Sequence, residues 1–355
     1  MNNSKAEPFI TAIIPTYRRP KLLRRAVLSV LNQTYPHVRV CVYDNASGDE
    51  TEEVVAELMQ KDSRVKYHRH SENIGSYNNF NYGLQEVETT FFSLLSDDDV
   101  FVPEFFEKAL EGSKQYPEAM LVCMPTMAVN SDLRVISGPH EVNYMKLHSA
   151  GEALTGVING SIPGKWSGIL FRKEVRDSIG LIDVQSGPFA DAGYVMHAVA
   201  RFPIVAVPGI AAVYVIYQNT TSATVQFTPI GETWTGWWER MIGAIEKDEM
   251  APAFARSKIR GLAYPDFRRM ASRQVFYFLG EKRSDLAGQA AAGLKKCGHS
   301  VIANLLKAAV WSYDNSAAIR KLLAIAVGVK RESTQKRRDM LHMKYGHLVE
   351  FMKEL

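Results

Sequence analysis

The stretch Thr90-Phe91-Phe92-Ser93-Leu94-Leu95-Ser96-Asp97-Asp98-Asp99 is an apolar run that ends in three adjacent acids. A short apolar run bounded in this way is typical of a buried strand, here residues 90–95. Adjacent carboxylates repel one another, so this placement costs stability unless a cation neutralises them. A hard divalent ion with oxygen ligands, Mg²⁺ or Mn²⁺, is one candidate partner. A solvated acidic turn ahead of a helix that starts at Pro103 is the other interpretation.

The residues before this acid run alternate between short apolar segments and segments of helical periodicity. Ser47 and Glu50 have the spacing of a capping box ahead of one of the helices. We predict strands at 9–15, 38–43, 64–68 and 90–95, with helices from Pro20, after residue 50, over 77–87 and from Pro103. This alternation predicts a mostly parallel sheet, and open α/β sheets bind ligands at the carboxyl ends of their strands.

The remainder of the chain has a different character. Strand-like runs at 121–124, 166–171, 204–207 and 211–217 are joined by long polar connections and predict a mixed sheet. Helix formers with aromatic residues predominate after Thr228, and we place the boundary near Asn219. The fold class is therefore α/β with a C-terminal α-helical region.

Composition excludes several classes of protein. The chain is 46% hydrophobic and 23% charged with a net charge of +4, which is ordinary for a globular protein and argues against a nucleic-acid partner. Cys41, Cys123 and Cys297 are far apart, so a disulfide framework is not expected. We find neither a signal peptide nor a spanning apolar stretch, and we expect a cytoplasmic protein.

Four ordered motifs resemble the glycosyltransferases of family 2, which have the GT-A fold. They are Ile13–Tyr17 with Leu28–Thr34, Asp44–Thr51, Asn73–Gly75 with Asn81 and Gly83, and Leu95–Asp99 with Pro103. The resemblance implies a Rossmann-like mixed sheet flanked by helices. It also implies an inverting, metal-dependent sugar transfer of the bacterial surface-glycan type.

The resemblance further implies a set of residues that bind the nucleotide and its phosphates. These are Pro15, Thr16, Tyr17, Arg19, Asp44, Asn45, Asn73, Gly75 and Asp97. A strand-end carboxylate or amide can bind a base edge, and an aromatic ring beside it can stack. An Asx turn that leads into a helix is the structural alternative for Asp44 and Asn45, and a plain turn is the alternative for Asn73 and Gly75.

The acid run departs from the family pattern. When the family's acid-x-acid-acid pattern is aligned on Pro103, it falls on residues 96–99. Ser96 then replaces the first acid, and Asp98 takes the position of the metal ligand. Read as a literal triplet, the run supplies Asp97 and Asp99 instead. All three acids therefore remain candidate ligands for Mg²⁺ or Mn²⁺.

A second resemblance to the same family lies in the acceptor-side segment. Trp166–Lys173, Gly180–Asp183 and Phe189–Asp191 match it, although Ala190 replaces the usual glutamate. The resemblance implies that Asp191 is the base that deprotonates the acceptor hydroxyl. The alternative is that Asp191 caps the helix predicted over 192–200.

These observations give one expected organisation. Residues 1–218 form the GT-A catalytic domain, with a nucleotide-binding half at 1–116 and an acceptor-side half at 117–218. The donor is a UDP-, GDP- or dTDP-linked sugar, and the acceptor is a glycan or a lipid-linked sugar in surface polysaccharide synthesis. Residues 219–355 form a helical region that contacts the acceptor, a membrane or another subunit.

Basic residues flank the apolar segment 322–329 in that helical region. They suit peripheral contact with the inner face of the cell membrane, or an ordinary solvated face.

Two other functions stay open. A non-catalytic module that binds sugar nucleotides would keep the strand ends without the base, so the position of Asp191 relative to the acid run separates the two. A sugar nucleotidyltransferase usually has a glycine-rich loop after its first strand, and residues 15–20 contain no glycine. A dehydrogenase is disfavoured because no G-x-G-x-x-G motif follows that strand.

Overall fold

The computed structural model describes residues 7–217, 232–296 and 300–355. The first part of the chain alternates strands and helices as expected. Its elements are β1 (Ile10–Thr16), α1 (Pro20–Leu31), β2 (Val38–Asp44), α2 (Thr51–Lys61), β3 (Val65–Arg69), α3 (Ser76–Gln85), β4 (Phe91–Leu94), β5 (Val100–Phe101) and α4 (Phe105–Gln115).

The middle part consists of short strands and short helices. Its elements are β6 (Leu121–Cys123), β7 (Thr126–Asn130), β8 (Val135–Ser137), β9 (Lys146–His148), α5 (Ala150–Asn159), β10 (Ile169–Arg172), α6 (Lys173–Ile179), α7 (Ala190–Arg201), β11 (Ile204–Ala206) and β12 (Ala212–Ile216). The last part is helical, with α8 (Glu232–Lys247), α9 (Ala253–Gly280), α10 (Ser284–Lys296), α11 (Ser300–Asn315) and α12 (Ala317–Glu354).

The main sheet has the order β3-β2-β1-β4-β10-β6-β11-β9. Its first four strands are parallel, whereas β10 runs antiparallel to both of its neighbours. The register pairs Thr16 with Asp44 and Asp44 with Arg69, so the carboxyl ends of β1, β2 and β3 lie at one edge. The expectation of a parallel first half and a mixed second half is confirmed.

A second, four-stranded sheet with the order β5-β12-β7-β8 was not foreseen. Strand β5 begins immediately after the acid run and pairs with β12. The acid run is therefore the turn through which the chain leaves one sheet and joins the other. The two-residue length of β5 explains the omission, because so short a strand shows no periodicity.

Two local expectations were wrong. The capping box at Ser47 and Glu50 does not form, because the Ser47 side chain bonds to Asp44 and Asp49 accepts the amide of Thr51 instead. The helix expected at Pro103 begins at Phe105, because Pro103 and Glu104 form a turn between β5 and the helix.

The C-terminal helices share a hydrophobic core with the main sheet. One buried cluster contains Ile13 and Phe171 of the sheet together with Trp238, Phe267 and Leu306 of the helices. The boundary expected near residue 219 lies outside the described residues, and this core continues on both sides of it. The last turns of α12 pack through Leu348, Val349 and Met352 against the second sheet.

Gln33, just after α1, is buried and ties that helix to the chain that follows the acid run. Its Nε2 donates to the carbonyls of Ser29 (3.1 Å) and Val102 (2.8 Å), and its Oε1 accepts from the amide of Phe106 (3.1 Å). The Ser29 hydroxyl accepts from the amide of Phe101 (3.1 Å). These bonds satisfy buried main-chain groups in α1, in β5 and just after β5, which explains why polar residues stand in this apolar region.

Replacing Gln33 with alanine should lower the free energy of unfolding by about 2–4 kcal/mol, because buried main-chain groups lose their partners. Urea denaturation followed by circular dichroism measures the change. Gln115→Ala, at an exposed position of α4, is the matched control and should stay within about 0.5 kcal/mol of the wild type. Equal stabilities of the two variants would contradict this role of Gln33.

Candidate active site

A cavity of about 480 Å³ opens at the carboxyl ends of β1, β2 and β4. It brings together most of the site residues expected from the sequence, although they are spread over more than 170 positions. These are Pro15, Thr16, Tyr17, Arg19, Asn45, Asn73, Asp97, Asp98, Asp99 and Asp191. Asp44 and Gly75 do not line it. The acid run and Asp191 thus face one shared space.

Arg19 and Thr16 bind the acid run directly. One guanidinium nitrogen, Nη1, lies 3.1 Å from Oδ1 of Asp97 and 3.0 Å from Oδ2 of Asp98. The hydroxyl of Thr16 donates to the other oxygen of Asp97 at 2.7 Å. The end of β1 therefore positions two of the three acids.

Asp99 points the other way, toward the second sheet. Its Oδ1 accepts the amide of Val215 in β12 at 3.1 Å, while the carbonyl of Asp98 accepts from Arg25 at 2.9 Å. The turn is thereby fixed from both sheets and from α1.

Burial dominates the electrostatics of the acid run. It raises the pKa of Asp97 to about 6, with a further increase from Asp98 and a partial decrease from Arg19. Burial also raises the pKa of Asp98 and lifts that of Asp99 well above its usual range, where Asp98 adds repulsion. The folded protein therefore holds three carboxyl groups that strongly favour either a proton or a cation.

Asp44 organises the loop after β2. One of its oxygens accepts from the amide (2.9 Å) and the hydroxyl (2.5 Å) of Ser47, and the other accepts from Tyr67 (2.7 Å). Arg18 binds Ser47 in turn and has a φ of 55°, a left-handed conformation that costs about 1–2 kcal/mol in a non-glycine residue. This network sets the direction in which Tyr17 and Arg19 leave the end of β1.

The side-chain amides of Asn45 and Asn73 are hydrogen-bonded to each other at the cavity wall. Asn45 donates to Asn73 at 2.9 Å and accepts the amide of Ile74 at 2.8 Å. Asn73 also accepts a hydrogen bond from the amide of Gly75. Gly75 has a φ of 87° and immediately precedes α3. Gly75 thus shapes the turn that presents Asn73.

Asp191 lies in the first turn of α7 and lines the same cavity as the acid run. Burial raises its pKa, which Lys165 and the amide of Ala192 partly lower. A clamp of two hydrogen bonds, between the side chain of Asn81 and the main chain of Ile182 (2.8 and 2.9 Å), holds the preceding segment against α3. The segment before Asp191 is therefore fixed to α3.

Sequence reasoning missed Lys165, Tyr77 and Tyr214, which also line the cavity. The Lys165 ammonium lies 5.5 Å from the centre of the Tyr214 ring and offsets part of the rise that burial causes in the pKa values of Asp99 and Asp191. The phenol of Tyr77 has its pKa raised by burial and by Asp191. No local pattern marks Lys165, because the antiparallel strand β10 and its preceding turn bring it here.

The residues of this cavity have the donor chemistry that a hard divalent ion requires. Its lining carries four carboxyl groups against the two cationic side chains of Arg19 and Lys165. Within the described part of the chain, no three Asp, Glu, His or Cys side chains converge on one ion position. The carboxyl oxygens of the lining suit an ion that takes one or two carboxylates and completes its shell with water and phosphate oxygens, as Mg²⁺ does.

Among the described residues, no helix has both the length and the apolar character needed to cross a membrane.

Solved structures with a similar fold include two proteins in complex with nucleotide sugars. One is TarS 1-349 from S. aureus in complex with UDP-GlcNAc, with a TM-score of 0.61 and 12% identity over 91% of this chain and 92% of that chain. The other is the mannosyltransferase PcManGT from Pyrobaculum calidifontis with GDP-Man and Mn²⁺, with a TM-score of 0.53 and 16% identity over 92% and 87% of the two chains. The expected GT-A fold is confirmed.

Similar sequences include a GalNAc(5)-diNAcBac-PP-undecaprenol beta-1,3-glucosyltransferase of Campylobacter jejuni, 34% identical over 110 residues, which are 30% of this chain and 36% of the relative. A glycosyltransferase of Haemophilus influenzae is 31% identical over 103 residues, 29% of this chain and 41% of the relative. These matches span less than half of either relative. Residues 11–176 match the model of Glycosyl transferase family 2. The similarity to glycosyltransferase family 2 thus lies in residues 11–176, a little under half of the chain.

Proposed function

We propose that this protein transfers a sugar from a nucleoside-diphosphate sugar to a hydroxyl group of a glycan or lipid-linked acceptor, with inversion and with Mg²⁺ or Mn²⁺. The observation that carries this proposal is that Asp191 and the acid run line one cavity. The donor class is supported by similar folds that bind UDP-GlcNAc or GDP-Man. A role in surface polysaccharide synthesis is supported by the undecaprenol-linked substrate that names one relative.

In this proposal the strand ends hold the nucleotide. Tyr17 is partly exposed at the end of β1, where its ring can stack on a base, and Asn45 and Asn73 offer amide groups beside it. Arg19 and Lys165 supply positive charge to the diphosphate. Asp98 would be the main ligand of the metal ion, with Asp97 and Asp99 beside it, and the bound ion would supply positive charge next to the diphosphate.

The chemical step needs one base on the acceptor side. Asp191 takes the proton of the acceptor hydroxyl while that oxygen bonds to the anomeric carbon and the bond from that carbon to the phosphate oxygen breaks. The nucleoside diphosphate leaves with the bonding electron pair. Attack opposite the leaving group inverts the anomeric centre. The raised pKa of Asp191 suits this role, because a stronger base accepts the proton more readily.

The non-catalytic binding module is the rival function. It would need the strand ends but would place no constraint on Asp191 or on the clamp between Asn81 and Ile182. Asp191 lines the same cavity as the acid run, which favours an enzyme.

A panel of UDP-, GDP- and dTDP-linked sugars, with and without Mn²⁺ or Mg²⁺, tests the donor and the metal together. We expect hydrolysis or transfer of one donor only with the ion, and a loss on the order of 100-fold in Asp98→Asn. Mn²⁺ should also raise the melting temperature of the wild type more than that of the variant. Asp132→Asn, at an exposed turn, is the control and should behave as the wild type does. Turnover that resists EDTA would refute the metal dependence.

Asp191→Asn should lower kcat by about 10²- to 10⁴-fold while the affinity for the nucleotide stays near that of the wild type. In the wild type, kcat/KM should rise with pH through a pKa above the usual range of aspartate, because burial keeps Asp191 protonated at lower pH. Steady-state kinetics and nucleotide titration measure both quantities. Asp177→Asn, in an exposed ion pair of α6, is the matched control. Near-normal turnover in Asp191→Asn would leave the binding module as the better explanation.

A further inference from the structure

Helix α12 has two apolar faces, and one of them packs on the protein. Val327 lies against Gly280 of α9, and Leu341 lies against Gly138 near the second sheet. Leu348, Val349 and Met352 are buried in the core of that sheet. The helix is therefore held against the protein along its length, and this packing fixes which way the opposite side of the helix faces.

The other apolar face is exposed. Leu322 is 66% exposed, Ile325 56%, Val329 64%, Met340 59% and Met343 79%. At 3.6 residues per turn these positions fall within an arc of about 60°. Large apolar side chains in an ordinary surface are scattered singly, whereas these five form one stripe, defined here as the α12 stripe.

Positive charge follows the same helix. Lys330, Arg337 and Lys344 recur every seven residues beside the α12 stripe and are exposed. Between residues 317 and 347 the sequence has eight lysines and arginines but two acids, Glu332 and Asp339. Glu332 pairs with Lys336 at 2.8 Å. The exposed side of α12 thus combines an apolar stripe with an excess of cations.

We propose that the α12 stripe docks on an anionic lipid bilayer, with its apolar side chains in the acyl boundary and its cations at the headgroups. This combination is that of an interfacial amphipathic helix. A second copy of the chain is the less suitable occupant, because the rows of Lys330, Arg337 and Lys344 of two copies would repel each other. The proposal does not depend on the proposed sugar transfer.

Co-sedimentation of the whole chain with vesicles tests this surface. Vesicles of phosphatidylcholine alone should bind little protein. Vesicles in which about 30 mol% of the lipid is phosphatidylglycerol should bind the protein and release it at high salt. The combined charge reversal Lys330→Glu, Arg337→Glu and Lys344→Glu should lower the partition coefficient by about 100-fold. Leu322→Gln with Val329→Gln should lower it on the same vesicles without changing the salt dependence.

The matched control is the reversal Lys21→Glu, Lys114→Glu and Lys258→Glu, which changes the net charge equally at exposed positions of α1, α4 and α9. Its binding should exceed that of the α12 reversal by at least about 10-fold. Melting temperatures confirm that every variant is folded. Equal losses in the two reversals, or no binding of the wild type to anionic vesicles, would overturn the proposal. So would a wild-type dimer in light scattering that Leu322→Gln with Val329→Gln dissociates.

Discussion

The turn from Leu95 to Asp99 is the constraint on which the rest of the structure depends. It carries the chain from the main sheet to the second sheet, and it buries three carboxyl groups as it does so. Burying charge is costly unless the charge is paired and hydrogen-bonded. Thr16, Arg19 and Arg25 meet that requirement on one side, and the amide of Val215 meets it on the other. The turn therefore joins the two sheets at a site that favours a cation.

Much of this arrangement is legible in the sequence. The alternation of apolar runs and helical segments before Tyr116 predicts the parallel half of the main sheet. It therefore predicts that residues at strand ends, such as Thr16, Asn45 and Asp97, meet at one edge. The family motifs add Asp191, which is far from the acid run in sequence, so that no local pattern indicates that the two line one cavity. The motifs do not distinguish a side chain that lines the cavity from one that supports its wall. Asp44 is of the second kind, because it accepts hydrogen bonds from Ser47 and Tyr67.

The parts that escaped sequence reasoning have a common physical origin. Strand β5 and the position of Lys165 are both set by pairing with distant segments, β12 in one case and the neighbours of β10 in the other. Pairing between segments far apart in sequence leaves no local period to detect. The Ser47 and Glu50 pattern failed for a related reason, because Asp44 competes for the hydroxyl of Ser47 and a tertiary network prevails over a local cap.

The packing of α12 under the second sheet has a consequence for the order in which the protein is made. Met352 and Val349 complete the core that supports Val213 and Val215, and the amide of Val215 holds Asp99. A chain that emerges from the ribosome with residues 1–217 alone already contains every strand of the two sheets, but it lacks the helix that covers the second sheet. The turn that carries Asp99 gains its final support only when residues near 350 have been synthesised. Completion of this cavity is thus coupled to translation of the distal helix, and the nascent domain stays incomplete until then.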